Sequence, residues 1–151
     1  MTGQEIAQLI FQDSEDFEAF LEKDNALDVY ESVWRYGMST KKFLYLDHRG
    51  EQHWEIVNYL LDYEFTNHIE LGTQEELEEL GEFEYEYVPE KIREANKLLS
   101  PKGYGLFSYP TGGDFYALFI AKLEKKEKLL QVEVFDDERI PAEGRFIQFY
   151  D

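Results

Sequence analysis

Tyr104-Gly105-Leu106-Phe107-Ser108-Tyr109, then Pro110-Thr111-Gly112-Gly113-Asp114, then Phe115-Tyr116-Ala117-Leu118-Phe119-Ile120-Ala121 is the clearest local signal in the chain. Two aromatic runs flank a Gly-Gly turn, and glycine supplies the positive φ that a tight hairpin loop demands. An antiparallel hairpin is the direct reading. Its rings, Tyr104, Phe107, Tyr109 and Tyr116, are expected mostly in the core or in cross-strand pairs. Just before it, Pro89 suits a first helical turn and predicts a helix to about Leu99, with Ile92, Ala95, Asn96 and Leu99 inward.

Further upstream, Glu82 to Tyr87 alternates strictly. Phe83, Tyr85 and Tyr87 share one face and Glu82, Glu84 and Glu86 the other, which predicts a half-buried strand or extended segment. Thr73-Gln74-Glu75-Glu76 has capping-box spacing ahead of Leu77 and Leu80. Phe43–Leu46 reads as a buried strand, ended by Asp47-His48-Arg49-Gly50. A helix over about 51–63 follows, carrying Trp54, Val57, Leu60 and Leu61 inward.

Three short amphipathic helices are expected before that strand. Thr2 caps the first (Ile6, Leu9 and Ile10 inward), and Ser14 caps the second (Phe17, Phe20 and Leu21). Asp24 or Asn25 opens the third, with Leu27, Tyr30, Val33 and Trp34 inward and Gly37 as its stop. Downstream of the hairpin, Lys122–Lys128 reads as a loop or helical turn, Leu129–Phe135 as a strand, and Arg145–Tyr150 as a last strand. The expectation is an α+β fold in one acidic domain over 1–151. Residues 1–37 form a helical N-terminal layer, and 41–151 a mainly antiparallel sheet with helices packed on it.

Composition narrows the function classes. The chain of 151 residues holds 25 aromatics (12 Phe, 11 Tyr, 2 Trp) at a formal charge of −18, and it has no cysteine. Such aromatic content supplies a core that charge alone would deny. The charge argues against direct nucleic-acid binding, which needs Lys and Arg to displace counterions. Disulfides, zinc-thiolate sites and thiol nucleophiles are excluded. No stretch approaches a membrane span and the N-terminus lacks a basic start, so the expected address is cytoplasmic. The charge is also uneven. Residues 1–36 carry −7 and 64–94 carry −9, whereas 101–130 carry +2.

The segment from Pro89 through Ala121 resembles an uncharacterised bacterial family of unknown function. In that family a helix leads into a Gly-Tyr-x-Leu strand, and a short turn gives an Asp-x-Tyr-x-Leu strand. The matching residues are Gly103, Tyr104 and Leu106, then Asp114, Tyr116 and Leu118. The resemblance implies a fold more than an activity. A fainter likeness, carried by the Pro-initiated helix and the aromatic strands, is to the SMI1/KNR4-like superfamily, which includes many bacterial immunity proteins.

Catalytic signals are thin. His48 and His53, with Asp47 beside the first, offer imidazole and carboxylate to a metal-dependent hydrolase, although no His-Glu-x-x-His spacing exists. No serine lies in a Gly-x-Ser-x-Gly elbow. Asp136-Asp137-Glu138 lacks the alternation and central glycine of a calcium loop, and Gly112-Gly113 runs into strand residues rather than a phosphate-binding helix. The stronger candidate is the acidic stretch: Glu75, Glu78 and Glu79 on a helix, then Glu82, Glu84 and Glu86 spaced ~7 Å apart. This field attracts a basic protein partner and speeds encounter. Glutamate as a solubilising helix former is the plainer account of the same residues. The leading expectation is a non-enzymatic, immunity- or antitoxin-like binding protein with no cofactor and no membrane contact; a homodimer built on the aromatic hairpin is the other alternative.

Overall fold

The computed structural model describes residues 3–11, 15–23 and 28–151. The expected caps Thr2, Ser14 and Asp24 or Asn25, and the side chains of Leu21 and Leu27, lie outside the described residues. Helices α1 (Gly3–Phe11), α2 (Glu15–Lys23) and α3 (Val29–Ser39) precede strand β1 (Leu44–Asp47). Asp28 opens α3 by accepting the Glu31 N–H at 3.0 Å. Gly37 does not end this helix, which runs on to Ser39. The glycine lies instead where the Phe43 ring closes on the backbone, and a Cβ there would sit 2.4 Å from that ring.

Helices α4 (Glu55–Asn67), α5 (Gln74–Glu82) and α6 (Val88–Leu99) follow, and then the hairpin of β2 (Tyr104–Tyr109) and β3 (Phe115–Lys122). Gly112 takes φ +72° in the connecting loop, as the turn requires. Helical turns α7 (Lys126–Leu129) and α8 (Ala142–Arg145) lead to β4 (Gln148–Phe149). All four strands pair antiparallel in the order β1-β3-β2-β4. The α+β reading therefore holds, with the N-terminal helices packed against the sheet.

Alternation along the strands sorts the core into two layers. Phe43, Phe107, Tyr109, Ala117 and Phe119 face α1–α3, where they meet Ile6, Phe17, Val33 and Tyr36. Leu46, Leu106, Leu118 and Ile120 face α4–α6 and meet Ile56, Leu60, Leu77 and Ile92. Both faces of the sheet are thus covered, which is why β2 and β3 read as nearly continuous buried runs. Burial of each such Leu, Ile or Phe contributes about 1.5–3 kcal/mol.

Of the two alternating segments, the first takes the extended alternative and the second is not a strand. Glu82–Tyr87 belongs to no sheet: Glu82 ends α5, and 83–87 is an extended link to α6 whose exposure alternates as far as Glu86. The segment packs Tyr85 on the Glu51–Lys91 pair, and Tyr87 stands 68% exposed instead of facing inward. Leu129–Phe135 makes only one isolated bridge, Glu133 with Phe146, because its start is taken up by α7. The last strand shrinks to two residues. Helix α4 begins at Glu55 rather than 51, after Trp54 in a left-handed conformation (φ 48°), and Leu61 is 43% exposed.

Polar side chains end the ladders that the short strands cannot continue. Asn96 accepts the Leu106 N–H at 2.7 Å and donates to the carbonyls of Leu106 (3.3 Å) and Tyr150 (2.7 Å). Its amide stands in for a strand residue beside β2.

Candidate functional site

Helix α5 owes its position to a complete capping box. Thr73 Oγ1 accepts the Glu76 N–H at 3.1 Å, and the Glu76 carboxylate accepts the Thr73 N–H at 2.9 Å. Those bonds also hold the Glu76 carboxyl below its ordinary range. Leu77 and Leu80 are buried and fix the inward stripe. Glu75, Glu78, Glu79 and Glu82 then recur at i, i+3, i+4 and i+7, so they share the outer face. All four are exposed, and Glu84 and Glu86 continue the exposed row beyond the helix.

The charge is more one-sided than the position of Lys91 in the sequence implies. From Gly50 to Glu90 the chain holds thirteen acidic residues and no Lys or Arg. Lys91 closes that run, yet its side chain is 1% exposed and bonded 2.9 Å from Glu51, itself 6% exposed. Gly81 O accepts a further hydrogen bond from Lys91 Nζ at 3.3 Å, and the Tyr85 ring lies 5.5 Å away. The base that closes the run therefore neutralises an internal carboxylate, and the exposed bases Arg49 and Arg93 lie outside the run on either side. Among the described residues none of the six glutamates has an ion-pair partner; Glu78 accepts one hydrogen bond, from Gln74 at 3.1 Å.

Exposed apolar groups stand on the neighbouring helix and at the end of the link. Val57, Leu61, Glu64 and His68 form one stripe of α4, and the Glu64 carboxylate accepts the Leu71 (2.6 Å) and Gly72 (3.3 Å) N–H groups leading into α5. That flank of α4 faces α5. Leu61 (43% exposed) and Phe65 (83%) stand on its solvent side, and Tyr87 stands past Glu86.

The histidines are not gathered into a centre. His48 Nδ1 lies 2.9 Å from Asp114 O and 3.3 Å from Asp47 Oδ1, at the strand end where β1 meets the hairpin turn. Asp47 also bonds Arg49 through its backbone (2.9 Å) and guanidinium (3.0 Å), and these bonds hold its carboxyl down to about 2. His53 stacks on Trp54 with centroids 6.0 Å apart. Among the described residues no group of three or more His, Asp or Glu is arranged to hold a metal ion. Asp137, in the acidic run 136–138, pairs with Arg139 at 2.9 Å.

A four-stranded antiparallel sheet with helices on both faces and a base-free acidic flank defines an α+β domain, and among the described residues no helix is long and apolar enough to cross a membrane. The chain belongs to the family described as Domain of unknown function (DUF6630), which matches residues 2–136. No curated protein and no solved structure gives a match.

Proposed function

We propose that this protein works by binding a partner protein through the acidic face of α5 and the extended link that follows it. The observation that carries the reading is the row of Glu75, Glu78, Glu79, Glu82, Glu84 and Glu86, exposed and without ion-pair partners among the described residues. Like charges held side by side repel, and a partner's lysines and arginines relieve that repulsion on docking. Tyr87, Phe65 and Leu61 supply apolar anchors at the rim, the residue types that carry most of the energy in protein interfaces. The fainter resemblance of the Pro-initiated helix and aromatic strands to the SMI1/KNR4-like superfamily, which includes many immunity proteins, favours one form of this role, an inhibitor that covers the basic surface of a toxin-like or nucleic-acid-binding protein.

The test is recovery of a basic partner at low salt by the full chain, repeated with Glu82→Lys, Glu84→Lys and Glu86→Lys combined. The expected result is a complex that weakens with ionic strength and is lost in the triple variant. Capture indifferent to both salt and charge reversal overturns the reading.

A further inference from the structure

One edge of the sheet is held open. The His48 N–H reaches Asp114 O, so hydrogen-bonded pairs along β1 and β3 fall at 46–116 and 44–118, and the next rung would join Lys42 to Ile120. Tyr59 occupies that rung. Its hydroxyl donates to Lys42 O at 2.6 Å. The chain before β1 turns away there, with Lys41 in the left-handed region at φ 61°. Such a conformation is uncommon for lysine and persists only where its surroundings enforce it.

Beyond the Tyr59 wedge lies a cavity of about 490 Å³, within the range of small-molecule sites. Its deepest wall takes in Ile10 and Phe11 from α1 and Phe119 and Ile120 from β3, all 9% exposed or less, and the half-buried Tyr59 and Tyr63 rings also line it. Lys41 and Lys42 line it from the chain before β1 and Asp62 from α4. In a chain of net charge −18, these adjacent lysines have no carboxylate partner among the described residues. Lys42 Nζ is held over rings instead, 5.4 Å from the Tyr36 centroid and 5.9 Å from Phe11. Local positive charge thus lines the cavity in a molecule whose net charge is strongly negative.

We propose that this cavity binds a small amphipathic monoanion, an aromatic ring or short hydrocarbon chain bearing one carboxylate or sulfonate. The apolar body lies against the Tyr59 and Tyr63 rings and the edge of Phe11, and the headgroup meets Lys41 and Lys42 in charge-assisted hydrogen bonds. Asp62 rejects a second negative group. The site is separate from the acidic face and stands or falls independently of it.

The experiment uses the full chain with 8-anilinonaphthalene-1-sulfonate as fluorescent probe, octanoate and 1-octanol as competitors, and azelate as a dianionic control. One saturable site is expected, with octanoate displacing the dye and octanol and azelate failing at matched concentration. Combining Lys41→Gly with Lys42→Gln weakens dye and octanoate about tenfold, the effect of losing a charge-assisted contact. Thr66→Trp, at the exposed rim of the cavity, abolishes binding. Lys41→Gly alone keeps the fold, since glycine suits the φ at that position, and weakens binding in its own right. Absence of saturable binding, or binding unmoved by Thr66→Trp and by the lysine variants, overturns the proposal.

Discussion

Lys91 Nζ and Glu51 Oε1 lie 2.9 Å apart in an ion pair that is almost wholly buried. Glu51 also accepts the Ile56 N–H through Oε2 at 2.8 Å, and its own N–H donates to the Tyr85 hydroxyl at 2.8 Å. One side-chain pair therefore joins the entry to α4, the end of α5, the 83–87 link and α6. Removing one member strands the other charge without water, so Lys91→Met is expected to cost about 3–5 kcal/mol in urea unfolding. Glu51→Gln with Lys91→Met recovers a large part of that loss. A double variant that costs the sum of the Lys91→Met and Glu51→Gln single variants would show that the pair is not electrostatically coupled.

Asn96 satisfies both backbone groups of Leu106, so Asn96→Leu leaves a buried N–H and carbonyl without partners. Each orphaned group costs about 1–3 kcal/mol. The variant should be destabilised by about 2–4 kcal/mol, and the Leu106 amide should exchange with solvent faster than its β3-paired neighbours. An unchanged exchange rate at Leu106 contradicts this account.

Gly37 admits the Phe43 ring at a distance no Cβ tolerates. Gly37→Ala forces that ring, which lies 5.1 Å from the Tyr109 ring and 5.7 Å from Phe119, off its packing. Overpacking of this kind costs about 1–3 kcal/mol. Adding Phe43→Leu to Gly37→Ala should cost less than the sum of the two single changes, which thermal unfolding of the four proteins measures.

Hydrogen bonds from the Arg49 guanidinium, and then from its backbone N–H, hold the Asp47 carboxyl down to about 2 against an ordinary 3.8. Its folded-state value is depressed, so its contribution to stability is present above about pH 4 and lost as pH falls toward 2. In Arg49→Ala the carboxyl should titrate higher, seen in its carbon chemical shift against pH. A midpoint that does not move rules out Arg49 as the cause.

Burial pushes the Tyr59 and Tyr109 hydroxyls far above the ordinary tyrosine value of 10. For an acid with a raised folded value, the unfolded chain releases the proton first, so stability falls as pH rises above about 10. Ultraviolet titration of the folded protein should leave these tyrosines neutral until it unfolds. Tyr59→Phe and Tyr109→Phe should each remove one late-ionising group.

The sequence made the hairpin and the α5 capping box legible because both are local: Gly112 must take a positive φ, and Thr73 and Glu76 must reach each other's N–H groups. The alternation of residues 82–87 was legible too, but it reports which side is buried, not whether the backbone has a strand to pair with. Tyr85 is held by Glu51, a residue far off in sequence that no periodicity points to. Exposure of the six glutamates followed from helix and strand period alone. Burial of Lys91 did not, since lysine is ordinarily a surface residue and only the tertiary fold supplies its partner. Nor did the cavity behind Tyr59, which exists only where α1, α4 and β3 converge.

The base-free run from Gly50 to Glu90 also governs how the chain is digested. A protease that cleaves after lysine or arginine finds exposed bonds at Arg49 and Arg93, none between Gly50 and Glu90, and a shielded one at Lys91. Helices α4 and α5, with the link that follows them, should therefore travel through tryptic degradation as one intact piece. A glutamate-directed endopeptidase, by contrast, meets many cleavable bonds on the same surface, so its cutting pattern reports whether anything covers that side of the molecule.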